Sequence, residues 1–190
     1  PFSDLQAHPM SSTAPDVWML GTSDYGARVA AHFGIPYCFA HFITDGRGVE
    51  QALDLYRKNY QPNDRYPEPI ATVCVWALAA DTFEDAERLF SSRMHWKLMR
   101  EKGELRAIDN PEKITKFSYS EAEMTRLYQY RQSSIFGTSE SVAKQLSDLA
   151  LAYNIDEIVI LTWTYDQRDR LRSYELLAEA FMLTNQNSQN

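Results

Sequence analysis

The residues most capable of chemistry are Leu20-Gly21-Thr22-Ser23-Asp24-Tyr25-Gly26, because they join the end of an apolar run directly to the start of an amphipathic one. A strand that passes straight into a helix leaves the first helical N–H groups without intrahelical partners, at the positive end of the helix dipole. Gly21 lets backbone approach closely, and the hydroxyls of Thr22 and Ser23 add donors, so this turn has the means to hold an anion such as a phosphomonoester without any arginine. The same residues have a plainer use, in which Thr22 or Ser23 merely caps the helix.

Other chemistry-bearing residues are sparser. His41 lies near the end of the apolar run 35–43, where its imidazole serves either a ligand or a nearby backbone carbonyl. Trp163 and Tyr165 follow the last apolar run and either frame a pocket or pack at its entrance. The four histidines (His8, His32, His41 and His95) have no ligand-like spacing with one another or with Cys38 and Cys74, so no metal is expected. Both cysteines lie inside apolar runs, where a thiol acts as a small hydrophobe, and a disulfide framework is not expected. No Ser-His-Asp or Cys-His arrangement is legible, and no catalytic acid or base stands out.

The elements that position these residues read as about four βα units, in which short apolar runs alternate with amphipathic stretches. The run 17–20 precedes a helix over 24–33, which Gly34 terminates. The run 35–43 precedes a helix over 48–60, and Pro62, Pro67 and Pro69 then impose an irregular connection. The run 70–80 leads to a helix from Phe83 to about Lys102, capped by Asp81 or Thr82. Residues 103–117 are polar and predict a surface loop or lid, followed by a helix over 120–132. Thr138 is placed to cap a helix over 139–153, and a strand from Ile155 to Leu161 or Thr162 and a helix over 168–182 complete the pattern. A single domain over 1–190 is expected, with a lead-in over 1–15 and a frayed tail over 183–190.

Composition narrows the function classes. A net charge of −7 and a pI near 5.1 argue against a nucleic-acid or anionic-membrane surface, since phosphate-rich partners require clustered Lys and Arg. No apolar run approaches the roughly 18 residues that span a bilayer, and the polar Pro/Ser-rich start reads as neither signal nor anchor. With its reduced thiols, the chain is expected in the cytoplasm.

The string Val17-Trp18-Met19-Leu20-Gly21-Thr22-Ser23, followed by Ala27, Ala30, Ala31, Gly34 and Pro36, resembles the fifth strand and helix of the luciferase-like, flavin-dependent monooxygenases. The resemblance continues through Phe39-Ala40-His41-Phe42, Ile135-Phe136-Gly137-Thr138, Tyr165-Asp166 and Leu171-Arg172-Ser173-Tyr174-Glu175-Leu176-Leu177-Ala178. It implies an α/β fold with about four parallel strands, the C-terminal half of a (β/α)8 barrel, in which Thr22, Ser23, His41 and the stretch Thr162-Trp163-Thr164-Tyr165 gather at one mouth. It also implies FMN as cofactor, ahead of a deazaflavin. Gly21, Thr22, Ser23, Tyr25 and Gly26 would hold its phosphate, with His41 near the ring. Gly26 departs from the pattern, standing where the family commonly has a Ser or Thr hydroxyl.

The implied reaction uses reduced FMN and O2 to oxidise a small organic substrate such as an aldehyde, with a separate flavin reductase as a possible electron source. Arg172 and Tyr174, on a helix outside the barrel, read as structural, as does the cluster Met94, Trp96, Leu98 and Met99. A half-barrel leaves open edges and an exposed inner face, which predicts a homo-oligomer or a missing N-terminal half as cover. A catalytically silent flavin- or phosphate-binding module and a structural fragment are the alternatives.

Overall fold

The computed structural model describes His8, Thr13 and residues 15–183; most of the expected lead-in and nearly all of the expected tail lie outside the described residues. Four strands pair in parallel, β1 (Met19–Gly21), β2 (Tyr37–Phe39), β3 (Ala71–Ala80) and β5 (Ile158–Leu161), in the order β1-β2-β3-β5. A fifth, β4 (Ile135–Thr138), pairs with Ala77–Ala80 of β3. The segment Ile135-Phe136-Gly137-Thr138, expected only as the approach to a helix, is therefore itself a strand. Successive residues of β3 present their backbone groups to opposite edges. Ala77 and Ala79 use one edge, on which Ala77 accepts from Thr162 Oγ1 and Ala79 donates to Ser173 Oγ. Leu78 and Ala80 thus face β4 along the edge that β2 occupies lower down.

The outer face of this sheet follows from strand alternation. Tyr37, Phe39, Val73, Val75, Ala77 and Ala79 point one way and bury against α1 (Asp24–Phe33), α3 (Val49–Asn59), α7 (Ser139–Tyr153) and α8 (Gln167–Ala180). The small residues Ala27, Ala30 and Ala31 allow α1 to lie close to the sheet. Gly34 ends it in the left-handed region at φ 59°, where a Cβ would come within 2.3 Å of the Gln61 carbonyl oxygen, so only glycine fits.

The inner face is where the structure departs from the expected repeat. Trp76, Leu78 and Ala80 pack against Ala86, Leu89 and Phe90 of α4 (Phe83–Glu101), with Phe90 stacked on Phe136 at 4.2 Å. The helix after β3 thus does not pass outside the sheet as a barrel crossover. With α5 (Pro111–Ile114) and α6 (Glu121–Gln132) it forms a cover over the upper inner face, and α7 carries the chain outside to β5. The stretch expected as a loop or lid contains α5, capped by Asn110. Lower on the same face Leu20 and Val159 stand exposed, so the inner surface is open there.

The second run is also shorter than its hydropathy suggests. Only Tyr37–Phe39 is extended, and His41–Thr44 forms a short helix, α2. The string Arg172-Ser173-Tyr174 is structural: Arg172 pairs with Asp81 at 2.6 Å, Ser173 takes the Ala79 N–H at 2.9 Å, and the Tyr174 hydroxyl takes the Thr162 N–H at 3.0 Å. The Ser173 and Tyr174 hydroxyls supply the acceptors that a neighbouring strand otherwise would.

Ser173→Ala should strand a buried N–H and lower stability by about 1–3 kcal/mol in a urea melt; an unchanged midpoint would contradict this role. A second expectation concerns His95 in α4, which is buried against Phe117 and shares a 2.8 Å hydrogen bond with Tyr119. Burial first and Arg106 second hold its imidazole below the usual 6.5, against the pull of Asp109 and Glu104. The unfolded chain then binds that proton more readily, so this contribution is complete above pH 6.5 and drains as pH falls from there through the folded value. Thermal midpoints should fall on acidification across that window, with a shallower slope in His95→Gln; parallel slopes would refute the assignment.

Candidate functional site

All four barrel strands run the same way, so their C-terminal ends meet at one rim. Thr22 follows β1, His41 follows β2 after Ala40, Asp81 follows β3, and Thr162-Trp163 follow β5. The β1 end is tied to the β2 end by the Ala40 N–H, which donates to the Gly21 carbonyl at 2.9 Å, while the Tyr37 hydroxyl donates to the same oxygen.

At the β1 turn, Ser23 is the N-cap of α1, and its Oγ accepts the Gly26 N–H at 3.4 Å. Capping and ligand binding are compatible here, because an accepting hydroxyl still has its own proton to donate. Gly26 thereby spends its backbone donor inside the turn. The N–H groups of Asp24 and Tyr25 have no acceptor among the described residues and remain the helix's available donors. The Tyr25 side chain is exposed, which leaves backbone as its contribution to the turn. The Asp24 carboxylate is drawn toward α3, where Gln51 Nε2 donates to it at 2.6 Å. Gly21 and Gly26 back the turn, each open enough that an added Cβ would meet nothing nearer than 3.8 Å. Thr22 is half-buried and Ser23 exposed, so no side chain plugs the turn.

His41 is the first residue of α2, not the end of a strand. Its ring lies under Gly46, where a Cβ would approach Nε2 to 2.6 Å, and Gly46 has φ 83°. Burial, with Arg93 and Lys97 adding to it and Asp45 opposing, lowers its pKa from the usual 6.5 and favours the neutral imidazole. His41 borders a hollow of about 300 Å³ that Asp45, Ser134 and Gln145 also line.

A separate cleft of about 240 Å³ lies between α2, α4 and the end of β5. Trp163 enters it, edge-on to Phe42 at 6.0 Å and to Trp96 at 5.4 Å. Tyr165 is exposed and does not line it. The cleft is rimmed by Arg93, Lys97 and Arg100, which sequence reasoning did not single out. Their spacing of four and three residues puts them on one face of α4, a signal obscured because the same helix carries the apolar cluster around Met94 and Leu98. Trp96, read as core or interface, lines the cleft, whereas Leu98 and Met99 pack with Leu127 and Tyr130. Lys97 is bound by Asp45 at 2.7 Å, and Glu101 by Arg126 at 2.9 Å, which holds the Glu101 carboxyl at about 2. Among the described residues no group of His, Cys, Asp and Glu is arranged to hold a metal ion, and no helix is long and apolar enough to cross a membrane.

Comparison with known proteins agrees with this architecture. The chain is 41% identical over 181 residues to the uncharacterised protein YwcH of Bacillus subtilis (strain 168), an alignment that takes in 95% of this chain and 54% of that protein. It is 35% identical over 161 residues to a luciferase-like monooxygenase of Escherichia coli (strain K12), covering 84% of this chain and 48% of the relative. The crystal structure of apo-MsnO8 superposes with a TM-score of 0.78 at 29% identity, over 95% of this chain and 55% of that one. The chain thus spans about half the length of the relatives it matches. The sequence model of the luciferase-like monooxygenases matches residues 1–153, and with the parallel half-sheet and its rim this makes the chain a member of that family.

Proposed function

We propose that this chain supplies the phosphate-binding half of an FMN-dependent monooxygenase, in which reduced FMN and O2 oxidise a small organic substrate such as an aldehyde. The observation that carries the reading is the open turn at Thr22–Ser23, where two N–H groups and a hydroxyl proton with no acceptor among the described residues converge with a helix dipole. The turn fits a dianionic phosphate in chemistry and in access. When bound, the flavin supplies the oxygen chemistry, and the chain's own residues bind, orient and exclude water. Ser23, Thr22 and the Asp24 and Tyr25 amides hold the phosphate. Neutral His41 offers a polar face beside the ring without adding a positive charge, and Trp163 with Phe42 walls the site against solvent.

The exposed Leu20 and Val159 favour a working unit in which a second copy or an N-terminal half-barrel closes the inner face. A separate flavin reductase in the cytoplasm would deliver reduced FMN. The same open face also suits the second reading, a silent flavin-binding module, which would bind FMN without reductant-dependent O2 consumption. A deazaflavin in place of FMN would be revealed by which cofactor binds.

Titration should show saturable quenching of FMN fluorescence, weakened by roughly tenfold or more in Ser23→Ala, the loss expected for a hydrogen bond to a charged group. Gly26→Ser, whose new Cβ has room, should tighten binding by restoring a hydroxyl. No quenching, or quenching indifferent to both substitutions, would sink the phosphate assignment.

A further inference from the structure

Arg93 is 2% exposed, yet no carboxylate lies within 4.0 Å of its guanidinium among the described residues. A buried charge ordinarily requires a partner of opposite sign. Among the described residues its guanidinium makes one hydrogen bond, from Nη1 to Ser134 Oγ at 3.0 Å, its Cζ lies 4.1 Å from the centre of the Trp76 ring, and its Nε is buried with no acceptor. Burial lowers its pKa only to about 10, so it stays protonated at neutral pH. Arg93 lines the cleft that Trp96 and Trp163 also line. On the same rim Arg100, 5.4 Å above the Trp96 ring, likewise has no carboxylate partner among the described residues, whereas Lys97 and Glu101 are each neutralised by Asp45 and Arg126. The cleft thus holds two guanidinium groups with no carboxylate in ion-pair contact among the described residues, Arg93 having only the longer-range pull of Asp45, in a chain whose net charge is −7.

We propose that this cleft is the subsite for the carboxylate of a small organic acid, whose apolar body rests on Trp96 and Trp163. Arg93 offers planar, pre-positioned donors at the closed end, and a guanidinium is the side chain best matched to a two-oxygen anion. Arg100 screens the open end, and the aromatic walls suit a ring or alkyl chain and resist a second charge. The subsite's role in selecting substrate rests on the flavoenzyme reading, but its anion affinity does not.

The test uses the 190-residue chain, with 3-phenylpropanoate and its neutral analogue 3-phenylpropanamide titrated separately and followed by the indole N–H resonances of Trp96 and Trp163. The acid should shift both resonances saturably and bind about tenfold or more tightly than the amide. Arg93→Met, which removes the charge while keeping much of the bulk, should abolish that preference. Arg100→Met, at an exposed position, should reduce it in a chain of unaltered thermal midpoint, so the proposal does not hang on the folding of the buried variant. Equal binding of acid and amide, or an acid that leaves both indole signals in place, overturns the proposal. FMN titration of the same samples separates the two readings: acid binding without FMN binding upholds the subsite and removes the flavin assignment, and FMN binding without acid binding does the reverse.

Discussion

Parallel pairing is the constraint from which the rest of this structure follows. When β1, β2, β3 and β5 all run one way, each strand releases its chain at the same rim, and every connection must return along the outside or cross over the top. The α1 turn, the His41 helix and Trp163 come from distant parts of the sequence and share one rim because of that polarity, with His41 and Trp163 lining separate hollows there. The site is thus a property of strand direction first and of individual residues second.

The chain spends its backbone hydrogen bonds unevenly to keep this arrangement. Toward its C-terminal end β3 outruns both of its barrel neighbours, and its last four residues are claimed by β4 on one edge and by Thr162 and Ser173 side chains on the other. This extension carries Trp76, Leu78 and Ala80 up to meet α4, so the length of a single strand decides that the cover forms and where it sits. The same cover brings the basic face of α4 to the rim, next to the aromatic residues that follow β2 and β5.

Much of this was legible in the sequence because it is encoded locally. The helix over 139–153 is bounded by Thr138 as cap and by Asn154 in the left-handed conformation, and the turn at Gly21–Ser23 is a contiguous string that offers two adjacent candidate caps, Thr22 and Ser23, of which Ser23 serves. What escaped was decided by tertiary contact. Hydropathy could not tell that the apolar run 35–43 would stop being strand at Phe39, because the packing of the His41 ring against Gly46 beside the short helix His41–Thr44 is a contact that hydropathy does not register. It could not tell which face of the sheet α4 would choose, since that helix carries apolar residues for one neighbour and basic residues for another. Arg93 escaped for the same reason: an arginine on the basic face of a helix reads as surface until the fold buries it.

The account's central claim is that the Asp24 and Tyr25 amides receive a phosphate, and those two N–H groups can be observed directly. Backbone 15N–1H spectra of the chain titrated with FMN and, separately, with riboflavin, which lacks the phosphate, resolve the matter. The account predicts large shifts at Asp24 and Tyr25 with FMN and little change there with riboflavin. Identical perturbations from the two ligands, or none at these amides, would contradict it.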